Sequence, residues 1–258
     1  MTTLSATQRE QWERDGFFIV AAFASRETCS AMLDAAIAIT RGAARGDTVC
    51  PAVVMPEAKR NPFAHEPEDS VSKIFVLHQY SVFKEFAQSP AVLDLVEGIL
   101  GPDLDCFLSQ FIFKNRTAMG QPWHQDSFYF PFSTAPQVGI WLAVTEATLA
   151  NGCLHVLPGS QRENVHSHIP DRRPNANYGY LEIVDHDMSR AVAVTMQPGD
   201  LLVFHSHLMH QSTDNTTDGI RAAMVYHYTR AGTVDHSVER FGRPTAINVF
   251  VPVRRRAA

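Results

Sequence analysis

Trp123-His124-Gln125-Asp126 sets an imidazole and a carboxylate two residues apart. In extended backbone successive side chains point to opposite faces, so His124 and Asp126 project the same way and can serve one metal ion together. A second imidazole would complete the two-histidine, one-carboxylate face that leaves positions open on a non-haem Fe(II). The stretch from Gly199 to Ser212 offers three candidates for it, His205, His207 and His210. Beyond it lies a dense turn cluster, Asp214-Asn215-Thr216-Thr217-Asp218-Gly219, and then Arg221. A hairpin folded between Asn215 and Thr216 sets His210 opposite Arg221, with Cβ atoms ~5 Å apart. An imidazole and a guanidinium facing inward are costly unless paired, and a metal-bound dicarboxylate would satisfy both.

The elements that must position these groups follow from pattern. Ser5 to Gly16 is a short helix with a Ser cap and a terminating Gly, and Phe17-Phe18-Ile19-Val20 is a strand. Ser25 opens a longer helix whose Met32, Leu33, Ala36 and Ile39 recur at helical spacing and face the core. Residues 43–72 are rich in Pro, Gly and charge without periodicity, the texture of a lid or mobile loop. Residues 73–77 are a strand, and Ser89, Pro90 and Gly101 bound a further helix. From Asp105 onward come short β-rich runs at 106–114, 122–128, 139–144, 153–157, 191–196, 201–205 and 221–229. Many short strands with Gly, Pro and Asn punctuation predict a sandwich or barrel. With no linker and no internal repeat, residues 1–258 read as one domain, helical over 1–104 with a jelly-roll core over 105–230.

Composition narrows the function classes. The chain of 258 residues carries 22 Lys and Arg against 27 Asp and Glu, a net charge of −5, so no phosphate-backbone-binding surface is expected. The tail Arg254-Arg255-Arg256 reads as a solvated end. Four scattered cysteines, with no C-x-x-C pair, argue against a zinc ribbon or a disulfide framework and suit a reducing compartment. No signal-peptide pattern and no membrane-length apolar run is present, so a cytoplasmic protein is expected.

Taken with Phe128-Tyr129-Phe130, Gly139-Ile140-Trp141-Leu142-Ala143, and the run from Asn151 through Pro158-Gly159-Ser160, the site residues resemble the phytanoyl-CoA dioxygenase family in order and spacing. That family is a branch of the Fe(II)/2-oxoglutarate-dependent oxygenases. The resemblance implies a mainly β fold, a cupin-like double-stranded β-helix jelly roll with N-terminal helices packed on it. It implies iron ligands His124, Asp126 and His210, because the family's distal histidine stands two residues before a Ser and eleven before an Arg, as His210 does with Ser212 and Arg221. His205 and His207 are then structural. Arg221 would grip the distal carboxylate of 2-oxoglutarate in a planar fork, Ser212 would donate to it, and Lys73, Gln110 and Trp141 would line the co-substrate pocket.

The implied chemistry uses Fe(II), 2-oxoglutarate and O2 to hydroxylate an aliphatic carbon of a small-molecule substrate, releasing succinate and CO2. No protein acid or base is obligatory. Related halogenases lack the carboxylate that Asp126 supplies here, which favours hydroxylation. After Pro-Gly-Ser the family usually continues with His, whereas this chain has Gln161. Residues 161–190, with His166, His168, Arg172, Arg173, Tyr178 and Tyr180, are expected to cover the pocket mouth together with residues 43–72. Two other readings stand beside this one: a zinc hydrolase on the same ligands, which leaves the spacing of Ser212 and Arg221 unexplained, and a non-catalytic jelly roll that binds metal or dicarboxylate.

Overall fold

A computed structural model describes residues 4–57, 61–174, 176 and 179–255 of the chain. Its helices are α1 (Ala6–Asp15), α2 (Arg26–Arg45), α3 (Ser81–Ala87), α4 (Pro90–Leu100) and α5 (Ser237–Phe241). Its strands are β1 (Phe17–Val20), β2 (Val53–Pro56), β3 (Val71–Phe75), β4 (Leu104–Lys114), β5 (Val138–Ala143), β6 (Leu154–Val156), β7 (Ile169–Pro170), β8 (Leu181–Glu182), β9 (Val192–Val194), β10 (Leu201–His205), β11 (His210–Ser212), β12 (Arg221–Arg230) and β13 (Val251–Arg254). A major antiparallel sheet runs β1-β10-β5-β12-β4-β3-β2, with β13 also on β4, and a minor sheet runs β11-β6-β9. This is the expected jelly roll with helices packed on it.

Period-two alternation explains why the major sheet is apolar on both faces. On β12, Ala222, Met224, Tyr226 and Tyr228 join the core beneath the helices, while Ala223 and Val225 join the core between the sheets. Tyr226 and Tyr228 donate their hydroxyls to the Phe83 and Ala87 carbonyls at 2.8 and 2.9 Å. Those bonds tie α3 to the sheet. The opposite face of β12 turns Arg221 and His227 toward a cavity of about 320 Å³ lined by residues of both sheets.

The helix boundaries follow local rules. Ser5 Oγ accepts from Gln8 N while the Gln8 side chain bonds back to Ser5 N, a capping box, and Gly16 closes α1 in the left-handed region at φ 82°. Helix α3 was not legible, because seven residues show no clear period and its cap, Tyr80, makes no side-chain bond.

Four expectations need correction. Residues 43–72 are no continuous loop, since α2 runs to Arg45 and β2 pairs with β3. Residues 122–128 form no strand: His124 makes one isolated bridge and a 3-10 turn follows at Asp126–Phe128. The sheet also reaches outside residues 105–230, taking β1, β2 and β3 from before it and β13 from after it. Edge strands join through backbone bonds, which the local pattern of the core strands does not reveal. Finally, Arg254 and Arg255 are not simply solvated, because Arg254 pairs with Asp94 and Glu97 and Arg255 pairs with Asp105; Arg256 lies outside the described residues.

Candidate metal and dicarboxylate site

The predicted hairpin between His210 and Arg221 does not form. His210 pairs with Val156 in the minor sheet, whereas Arg221 pairs with Lys114 in the major sheet. The turn cluster instead carries the chain from one sheet to the other, held by Asn215 Nδ2 donating to the Lys114 and Gly219 carbonyls at 2.9 and 2.7 Å. Turn residues specify a reversal but not the partner strand. His210 and Arg221 nevertheless line the same cavity.

Of the three histidines, His210 is brought beside His124 by a backbone pair. His124 N donates to His210 O at 2.9 Å and His210 N to His124 O at 3.0 Å. Directly bridged residues put their side chains on one side, and the two imidazole centroids lie 4.1 Å apart. Asp126 Oδ1 stands 3.5 Å from His124 Nε2 and 3.7 Å from His210 Nε2. His205 and His207 do not line the cavity.

The hydrogen bonds behind these rings suit a metal ion. His124 Nδ1 lies 2.8 Å from the Pro122 carbonyl and His210 Nδ1 lies 2.9 Å from the Leu208 carbonyl. A carbonyl only accepts, so each Nδ1 carries the proton and each Nε2 turns a lone pair toward the Asp126 carboxylate. Lone pairs facing a carboxylate repel it unless a cation sits between them. Burial pushes the His210 imidazole down to about 4, aided by His124, which keeps it neutral.

His227 escaped the sequence reading. It donates from Nε2 to Asp126 Oδ2 at 2.9 Å and so orients that carboxylate. The signal was present: His227 shares the inward face of β12 with Arg221, at an even spacing in one strand.

At the other end of the cavity Arg221 is 1% exposed, with Nε and Nη1 lacking any partner among the described residues. Its Nη2 donates to the Gly152 carbonyl at 3.3 Å, and its guanidinium lies 5.3 Å from the Trp141 ring centroid. Burial lowers its pKa to about 10, so it stays charged near neutrality. Gly152 makes room for Thr213 and Lys114: at φ +82°, an added Cβ would lie 2.3 Å from Thr213 O and 2.8 Å from Lys114 Cδ. Lys114, also missed, donates from Nζ to Ser212 Oγ at 3.0 Å and to Thr213 O at 2.5 Å. Burial, then Arg221, drives its pKa well down. A buried guanidinium with two orphaned donors beside a buried lysine fits a bound dianion.

The remaining predicted residues also reach this cavity. Ser212 Oγ accepts from Lys114 and from Gln121 N, Trp141 lies beneath Arg221, Gln110 faces inward from β4, and Lys73 lies 5.1 Å from the Tyr180 ring centroid. Glu57 and Tyr180 join them from the two segments expected at the mouth. Arg172 and Arg173 pair instead with Glu182 and Asp171. Tyr178 lies outside the described residues. Gln161, where the family usually has His, is largely buried and donates to the Glu13 carbonyl at 3.1 Å.

The profile of the Phytanoyl-CoA dioxygenase (PhyH) family matches residues 12–223. The chain belongs to that family. As a phytanoyl-CoA dioxygenase family member it is a non-haem enzyme dependent on Fe(II) and 2-oxoglutarate, with O2 as oxidant. It is 34% identical over 171 residues to a probable phytanoyl-CoA dioxygenase of Caenorhabditis elegans, an alignment covering 62% of this chain and 55% of that protein. It is 28% identical over 254 residues to the peroxisomal phytanoyl-CoA dioxygenase of Bos taurus, covering 92% of this chain and 74% of the relative. Among solved structures, the non-heme monooxygenase ThoJ in its apo form superposes with a TM-score of 0.72 at 24% identity, covering 96% of this chain and 84% of that one. That likeness shows the fold. All four cysteines are free, and among the described residues no helix is long and apolar enough to cross a membrane.

Proposed function

We propose that the protein hydroxylates an aliphatic carbon of a small-molecule substrate, releasing succinate and CO2, with His124, Asp126 and His210 holding the iron. The observation that carries this is the pairing, in one cavity, of three convergent metal-ligating atoms with a buried Arg221 whose Nε and Nη1 have no partner among the described residues. Fe(II) with 2-oxoglutarate and O2 supplies the oxidising chemistry. The protein's part is to bind, orient and exclude.

Arg221 grips the distal carboxylate of the co-substrate through its free Nε and Nη1 donors. Lys114 holds Ser212 in place beside it and adds a second positive charge, and Trp141 walls the guanidinium from the side. Lys73 and Gln110 complete the co-substrate pocket. His227 keeps the second Asp126 oxygen occupied, which would leave Oδ1 to hold the metal. Phe75, Leu108, Phe130 and Ile247 form the apolar wall against which a C–H bond is presented. At about 320 Å³ the cavity is at the small-molecule end of known sites. Four free cysteines support a reducing, cytoplasmic setting, and the net charge of −5 supports a partner other than nucleic acid.

The test needs no substrate. Fe(II) and 2-oxoglutarate are added anaerobically to purified protein, and the weak visible charge-transfer band of the chelate is followed, with Arg221→Ala as control. A band in the wild type that is lost in the variant at the same co-substrate concentration is expected. Folded, iron-loaded protein with no band would overturn the proposal.

A further inference from the structure

A second group of metal-ligating side chains meets outside the central cavity, at the base of the β7–β8 hairpin. Glu163 and His166 precede β7 and His186 follows β8. Glu163 Oε2 lies 2.9 Å from His166 Nε2 and 3.1 Å from His186 Nε2. One ligand atom from each of the three residues falls within 4.8 Å of the other two.

The hydrogen-bond inventory shows what is missing there. His186 Nδ1 lies 3.0 Å from the Asp187 carbonyl, which has no proton to give, so Nδ1 carries the hydrogen. Its Nε2 faces another acceptor, the Glu163 carboxylate. A neutral imidazole has only one N–H, so Nε2 requires either an added proton or a cation. His166 Nε2 also meets Glu163, while its Nδ1 lies 3.9 Å from Asp185 Oδ1, beyond hydrogen-bond reach. Charge balance points the same way, because two carboxylates surround two imidazoles.

The backbone holds this group in place. His166 N donates to Gln125 Oε1 at 2.8 Å, and Gln125 Nε2 donates to the Asn164 and His207 carbonyls at 3.3 and 2.9 Å. Gln125 is fully buried, between His124 and Asp126 in the chain. The Glu163, His166 and His186 side chains are 41%, 23% and 20% exposed, open enough for an ion and water to enter.

We propose that Glu163, His166 and His186 bind a second divalent cation, for which Zn2+ is a suitable probe because it accepts two imidazoles and a carboxylate with water in the remaining position. The ion ties together the two ends of the excursion that carries Tyr180 to the cavity and anchors on Trp123 through Ile183 N, 2.8 Å from Trp123 O. It therefore braces one wall of the central cavity without entering it.

The experiment uses protein already loaded anaerobically with Fe(II) and 2-oxoglutarate, whose charge-transfer band reports the central site. Zn2+ is titrated by calorimetry into wild type, the His166→Ala/His186→Ala double variant and Glu163→Gln, each checked for folding by circular dichroism. One equivalent of Zn2+ taken up with the band intact, and lost in the folded variants, is the expected result. No uptake, uptake that erases the band, or uptake undiminished in the folded variants would each overturn the proposal.

Discussion

Lys114 and Arg221 stand directly opposite each other on β4 and β12, both buried, and among the described residues neither forms an ion pair with a carboxylate. Like charges directly opposed across a strand pair are destabilising. Such an arrangement is relieved when a dianion neutralises it, which supports the proposal that the 2-oxoglutarate tail binds at this pair.

Arg221→Ala is therefore expected to weaken 2-oxoglutarate binding by ~10–100-fold, the range for losing hydrogen bonds to a charged group, with iron affinity little changed. Anaerobic titration of the chelate band measures the first and metal competition the second. An unaltered 2-oxoglutarate affinity would contradict the assignment.

Lys114→Met should behave differently in the two states. Without co-substrate the variant loses a buried like-charge contact, so its melting temperature should equal or exceed the wild type's. The rise produced by saturating 2-oxoglutarate should shrink, since stabilisation follows ligand affinity. Thermal scans of metal-loaded protein with and without 2-oxoglutarate decide it.

Asp126→Ala should abolish iron-dependent turnover while leaving the circular dichroism spectrum native. His227→Leu removes only the donor to Asp126 Oδ2 and should cost ~10–100-fold in iron affinity, the usual effect of losing a ligand's supporting hydrogen bond. His227→Gln, which keeps an amide donor, should recover part of that loss. Equal iron affinity in all three would refute the arrangement.

Stability should fall on mild acidification. His205 is pushed down to about 4 by burial, aided by His207, and His168 is pushed down to about 4 chiefly by burial. His168 Nε2 accepts from Gln125 N at 3.0 Å, a bond that protonation breaks. Unfolded histidines titrate near ~6.5, so between that pH and about 4 the unfolded chain binds more protons. The stabilisation is complete above the unfolded value and is lost as pH falls through the folded one. The melting temperature of the metal-free protein should drop by several degrees from pH 7 to pH 5, and less in His205→Phe. A flat profile would exclude the effect.

The sequence by itself determined what depends on near neighbours. Ser5 with Gln8, Ser25 with Thr28, and Gly16 and Gly46 bound their helices because caps are local hydrogen bonds. Alternation along β12 sorted its residues between two cores, whereas His124 and Asp126 converge from an isolated bridge and the start of a 3-10 turn, not along a strand. What tertiary structure decided is which distant groups meet. His210 joins His124 through an isolated backbone bridge, and it shares a cavity with Arg221 from a different sheet, not through the hairpin the turn residues suggested. Lys114 faces Arg221, His227 reaches Asp126 across 101 positions of sequence, and Glu163, His166 and His186 converge at a hairpin base. The physical reason is that side-chain direction is set by each residue's own backbone, whereas strand pairing depends on edges left free by the rest of the fold, which no short stretch of chain records.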